Sequence, residues 1–180
     1  MADHELTGVL LVGGASRRFG SPKALALLEG ETLAARAWRV LGEVCQERIA
    51  VGKEADGLAL PFAILDDGTE TRAALAGIVA GLRAAAHERV LVVPVDCPLL
   101  TPAALRDLAA AGGTAAAPET SPLPAAFSRD ALPLLARRLA AGELRLREAL
   151  LELDAVVVEL DPGVLANVNT PDALRRLGDG

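Results

Sequence analysis

The stretch Arg89-Val90-Leu91-Val92-Val93-Pro94-Val95 is apolar on both faces of an extended chain. A strand of that kind is stable only where other elements cover it above and below. Such strands belong to parallel sheets held between helices, because the crossover that lets the chain re-enter in the same direction lays a helix on a sheet face. The rest of the chain repeats the theme. Short apolar runs predict strands over 7–12, 48–51, 62–65, 89–95, 114–117 and 155–159. Alanine- and leucine-rich stretches predict helices over 32–44, 72–86, 102–111, 129–141 and 171–177. Thr101 and Thr170 each precede a proline, the pattern of an N-cap followed by proline in the first turn. The alternation predicts an α/β fold with a doubly wound, mostly parallel sheet and helices on both faces. The 180 residues show no repeat and no dividing linker, so they read as a single domain. The segment 119–124, with two prolines, is a loop: either a plain connector or part of the working edge.

The formal charge of −6 lacks the basic footprint of a general nucleic-acid binder. An acidic chain that handles phosphates needs local cations, from its own Arg and Lys or from a metal. The apolar runs fall short of the ~18 residues of a membrane span. Residues 1–5 are polar and lack a signal-peptide pattern, which predicts a cytoplasmic protein without membrane contact. Cys45 and Cys97 are too few for a disulfide framework, and His4 and His87 lack metal-ligand spacing. All four read as structural or incidental.

Residues 10–23, Leu-Leu-Val-Gly-Gly-Ala-Ser-Arg-Arg-Phe-Gly-Ser-Pro-Lys, are a strand running into a loop suited to phosphate. Gly13 and Gly14 carry no Cβ, so the backbone turns sharply and its N–H groups reach an anion. Arg17, Arg18 and Lys23 add positive charge. Lys23 and Lys53 are the only lysines, against sixteen arginines, and a compact ammonium acts as a point charge where a guanidinium fork does not fit. On its own the loop reads equally as an ordinary turn into a helix. It is not a P-loop, because Gly20 is followed by Ser21-Pro22, and its glycines lack dinucleotide-fingerprint spacing.

Two further segments point to chemistry. Asp96 follows the buried strand, within Pro94-Val95-Asp96-Cys97-Pro98, and a carboxylate there needs a partner. Mg²⁺ shared with nucleotide phosphates supplies one, whereas the alternative role of helix cap is already filled by Thr101. Asn167 and Asn169, at i and i+2, face one side if extended and offer amides to a ligand, although Asn, Thr and Pro also serve an ordinary strand-to-helix junction. Gly13-Gly14, Asp66-Asp67 and Asp96 all follow predicted strands, where ligands bind in such sheets.

Leu-Val-Gly-Gly-x-x-x-Arg-Phe-Gly-x-x-Lys, Val-Asp-Cys-Pro and Asn-Val-Asn-Thr-Pro together resemble the signature of the molybdenum cofactor guanylyltransferases, within the nucleotidyltransferases of nucleotide-sugar type. The match runs in order from residue 8 to residue 174. The resemblance implies a Rossmann-like nucleotidyltransferase, with nucleotide bound by Leu11, Val12, Gly13, Gly14, Arg18, Lys23 and Asp66. It implies Mg²⁺ on Asp96, which also contacts the nucleotide, and pterin-side contacts from Asn167 and Asn169. Lys23, Arg18 and Asp96 are the implied catalytic group. Leu75-Ala76-Gly77 is similar to the family's Gly-Pro-Leu-x-Gly loop, with Ala73-Ala74 where Gly-Pro is usual. Val51-Gly52-Lys53 stands where an asparagine near the base is frequent.

The implied reaction transfers GMP from GTP to molybdopterin, the organic part of the molybdenum cofactor, and releases pyrophosphate. Cofactor-delivery proteins are implied partners. The attacking phosphate is already an anion, so alignment and charge neutralisation suffice without a protein base. Cytidylyltransferases of the same type tend towards Ala-Ala-Gly in the first loop and Asp-x-Asp in the last motif, so Gly13-Gly14 and the paired asparagines lean towards guanine. A CTP-dependent enzyme, a sugar-phosphate nucleotidyltransferase and a non-catalytic nucleotide-binding module are the alternatives.

Overall fold

The computed structural model describes residues 5–13 and 22–178. Its strands are β1 (Leu6–Leu11), β2 (Leu27–Leu28), β3 (Glu31–Thr32), β4 (Glu47–Gly52), β5 (Ile64–Asp66), β6 (Arg89–Pro94), β7 (Ala115–Pro118), β8 (Ala125–Ser128) and β9 (Val156–Val158). Its helices are α1 (Leu33–Gly42), α2 (Ala74–Ala84), α3 (Pro102–Ala110), α4 (Leu132–Ala140), α5 (Leu146–Glu152) and α6 (Pro171–Gly178). Apart from the small β2–β3 hairpin, the strands form one seven-stranded sheet in the order β5-β4-β1-β6-β8-β7-β9. Four neighbour pairs are parallel, and only β8 runs antiparallel, against β6 and β7.

Alternation along β1 shows how the sheet separates two cores. Leu6 and Leu10 point to one face, where α1, α3 and α6 pack; Val9 and Leu11 point to the other, where α2, α4 and α5 pack. In β6 the residues from Val90 to Val93 are buried on both faces, as its composition requires. Thr101 and Thr170 cap their helices by accepting the N–H of Ala104 and of Ala173. No helix among the described residues is long and apolar enough to cross a membrane.

The β2–β3 hairpin, β8 and α5 have no counterpart among the elements the sequence predicts. Ala-Ala-Phe-Ser of β8 has weak strand propensity, and it is extended because it pairs with two neighbours and buries Phe127 completely. Helix α5 follows Arg145, which supplies no side-chain cap, and is held by burying Leu146, Ala149 and Leu150. At the far edge, β9 pairs only with β7 and leaves Val157 62% exposed, so it is not the two-face-buried strand its three valines suggest. The segment 119–124 is a loop, as expected.

β1 lies between β4, reached through α1, and β6, reached only after β5 and α2 have been laid down. Strand order therefore reverses at the β1–β6 junction, and a crevice opens beyond the carboxyl ends of these strands.

Candidate active site

A cavity of about 500 Å³ occupies that crevice, within the range of small-ligand sites. Leu11, Val12 and Gly13 line it from the end of β1, and Pro94, Val95 and Asp96 from the end of β6. The end of β4, the start of α2, the loop at 121–123 and Asn167 complete the wall.

On one side the three sequence motifs meet. Lys23 opens a 3₁₀ turn after Pro22, and its Nζ lies 3.3 Å from Asp96 Oδ2 and donates to Asn169 Oδ1 at 3.1 Å. The Asp96 carbonyl accepts the Val168 N–H at 2.8 Å, which fastens the Asn-Val-Asn segment to the end of β6. Cys97 Sγ donates to Asn167 Oδ1 at 3.0 Å. Burial pushes the Cys97 thiol up to about 12, with the neighbouring Asp96 charge adding to the rise, so the group stays a protonated donor. Residues separated by up to 146 positions thus form one polar cluster. Gly14, Arg17, Arg18 and Gly20 lie outside the described residues, as does His4.

The opposite side is built around Lys53, Asp67 and Arg72, to which the sequence assigns no individual role. Lys53, at the end of β4, directs its Nζ at Asp67 Oδ1 (2.6 Å), at Thr69 Oγ1 (3.3 Å) and at the Thr69 carbonyl. Arg72 forms a two-pronged pair with Asp56 at 2.8 and 3.2 Å. Lys53, Asp67 and Arg72 line the cavity, whereas Asp66 does not. The Asp66 carboxylate accepts the N–H groups of Glu54 and Gly68, which hold it below the usual carboxylate range and brace the turn behind Asp67. The rarity of lysine was the available signal for Lys53. Nothing in the pair Asp66-Asp67 told which carboxylate turns inward.

Glycine at 52 and 77 lets the wall close. A Cβ at Gly77 would lie 2.7 Å from Leu11 Cδ2, so α2 packs directly on β1. A Cβ at Gly52 would lie 2.9 Å from Val12 Cγ2, and the valine side chain fills the space a side chain at 52 would need.

Residues 8–156 match the sequence model of the MobA-like NTP transferase domain. The chain belongs to that family. The probable molybdenum cofactor guanylyltransferase of Chloroflexus aggregans is 34% identical, across 94% of this chain and 92% of the relative. The molybdenum cofactor guanylyltransferase of Rhodobacter capsulatus is 35% identical, across 97% and 95%. Among solved structures, molybdopterin-guanine dinucleotide biosynthesis protein A from Archaeoglobus fulgidus superposes with a TM-score of 0.82 at 25% identity, covering 96% of this chain and 97% of that one. Family members are nucleotidyltransferases, and the cavity at the β1–β6 junction lies where a doubly wound sheet binds its ligands.

The donor set suits a hard divalent cation of the Mg²⁺ type. Asp96 offers a partly exposed carboxylate in the cavity wall, and the described residues hold no cluster of three His, Cys, Asp or Glu side chains. One carboxylate with the remaining positions left to phosphate oxygens and water is how Mg²⁺ is commonly held.

Proposed function

We propose that this chain transfers GMP from GTP to molybdopterin, releasing pyrophosphate, with Mg²⁺ held by Asp96. The carrying observation is the meeting of Lys23 and Asp96, which line a cavity of small-ligand size, with Asn169 bonded to Lys23. The guanylyltransferase names of relatives aligned over nearly the whole chain support the same reading.

In this reading Leu11, Val12 and Gly13 lie along the nucleotide, and Lys23 exchanges Asp96 and Asn169 for phosphate oxygens as GTP enters. Gly14 and Arg18 are assigned to the phosphates by resemblance alone. Bound with the nucleotide, Mg²⁺ would neutralise developing charge on the phosphates. Asn167, which lines the cavity, and Asn169, bonded to Lys23, face the incoming pterin phosphate, while the cavity walls hold the two phosphates in line. Asp66 contributes by shaping the turn behind the base side. Delivery proteins and a cytoplasmic setting complete the proposal.

The test is pyrophosphate release with molybdopterin across GTP, CTP, UTP and ATP in the presence of Mg²⁺. Release with GTP above the others supports the reading. CTP preference would make this a cytidylyltransferase, and nucleotide binding without release would make it a non-catalytic module.

A further inference from the structure

We infer that Cys97 is a positioning residue for the second substrate, an inference that rests on the guanylyltransferase reading. Its thiol holds the Asn167 amide with the NH₂ outward, as a donor to the incoming phosphate. Cys97 is only 3% exposed, and its Sγ lies 3.0 Å from Asn167 Oδ1. The Asp96 carboxylate, at 3.9 Å from Sγ, is the more distant acceptor. A thiol has a single hydrogen to donate, and the shorter contact takes it. Asn167 itself is exposed and lines the cavity.

The two arms of a side-chain amide have nearly the same shape, so what bonds to each arm decides which way the group points. Sγ, the buried partner on the protein side, takes the oxygen arm, and the nitrogen arm donates to no described residue. The NH₂ is therefore the arm left for a ligand. The backbone cannot undo this arrangement, because Val168 is 1% exposed and its N–H is bound to the Asp96 carbonyl at 2.8 Å. Asn169 is held differently. Its Oδ1 accepts from Lys23, the cation that turns to phosphate when nucleotide enters, whereas the uncharged, buried Cys97 has nowhere to go. Asn167 thus keeps one orientation throughout, and holding a donor in its bound orientation removes the cost of ordering it when substrate arrives. A donor so turned suits phosphate oxygens and not a hard cation, which takes oxygen ligands.

The experiment measures pyrophosphate release by the intact chain, with Mg²⁺, as molybdopterin is varied at saturating GTP and then the reverse. Cys97→Ala is expected to raise KM for molybdopterin about 5- to 10-fold, the scale of one hydrogen bond, and to leave KM for GTP within about 2-fold. Cys97→Ser keeps a donor in place and is expected to recover most of the loss. A thiol that only filled space would give the opposite order, since serine buries a more polar atom than alanine does. Asn167→Asp keeps an acceptor for the thiol but puts an oxygen where the NH₂ stood, so KM for molybdopterin is expected to rise at least as far. In an Asn167→Ala background, Cys97→Ala is expected to change nothing further. Serine no better than alanine, additive losses with Asn167→Ala, or an Asn167→Asp protein that behaves as the parent overturns the inference and leaves the guanylyltransferase reading standing. A parent that releases no pyrophosphate from GTP and molybdopterin overturns both. If a Cys97 variant melts before it can be assayed, the S–H stretching band of Cys45→Ala, which keeps Cys97 as its one cysteine, decides. That band is expected to rise in frequency when Asn167→Ala is added, and a band that stays put overturns the inference.

Discussion

The chain's two lysines stand on opposite walls of one cavity, each against an aspartate, and the two pairs differ in kind. Lys23 and Asp96 are 3.3 Å apart, with side chains 15% and 27% exposed. Lys53 and Asp67 are 2.6 Å apart, with side chains 10% and 7% exposed. A long, partly wet ion pair contributes little to stability, and both its groups exchange partners at small cost. A short, buried pair is different: removing one member strands a charge away from water. On our reading the loose pair is released onto substrate and the tight pair builds the wall that the base meets. One cavity therefore holds a working cation and a structural one, set apart by burial more than by residue type.

The sharpest way to break this contrast is Asp96→Asn. Its kcat is expected to fall about 10²- to 10³-fold, the scale of removing one group aimed at developing charge. Its melting temperature should stay within about 4 °C of the parent, because the pair is partly wet. A folded Asp96→Asn protein with ordinary turnover would mean that Asp96 is not part of the chemistry. Lys53→Met tests the other wall. Stranding Asp67 is expected to cost about 3 kcal/mol and to lower the melting temperature by roughly 6–12 °C. Lys53→Met combined with Asp67→Leu should recover most of that loss, since apolar replacement of both partners removes the stranded charge. If Lys53→Met melts like the parent, the two pairs are alike and the contrast fails.

How much of this was legible in the chain follows from the range of the interactions involved. Strands such as Arg89–Pro94 declare themselves because burial on both faces needs continuous apolar residues, and the caps Thr101 and Thr170 are local signals. β8 was hidden because Ala125 to Ser128 is extended only through its neighbours, a tertiary effect that overrides propensity. On the site, Lys23, Asp96 and Asn169 stood out as motifs, and their meeting needed the fold to bring residues 23, 96 and 169 together. Lys53, Asp67 and Thr69 form a contact set across a turn with no motif of its own, so only coordinates show which of two adjacent carboxylates faces inward.

A smaller effect sharpens the tight wall further. Gly52→Ala places a Cβ where Val12 Cγ2 already stands, 2.9 Å away, and about 3.5 Å from the Gly13 nitrogen. Overpacking of this kind is expected to cost about 1–3 kcal/mol and to raise KM for the nucleotide more than it lowers kcat. Val12→Ala in the same chain opens the space, so a double-mutant cycle by thermal melting should show the two substitutions to be coupled. Additive losses would place the strain elsewhere.

The smallest effect separates the two adjacent carboxylates. Asp66 is held below the usual carboxylate range chiefly by the N–H of Glu54 and then by that of Gly68. Because the folded chain favours its anion, the stabilisation is complete above the ordinary carboxylate value of about 4 and is lost as pH falls through the depressed folded value. The parent should therefore melt slightly above Asp66→Asn at neutral pH, and the gap should close in acid as Asp66 takes up its proton. Melting curves of both proteins between pH 7 and pH 2 supply the measurement. A gap that persists unchanged into strong acid would show that the carboxylate charge is irrelevant to the turn. Asp66 would then act through shape alone, and the bracing of Asp67 from behind would rest on the backbone of 66–69.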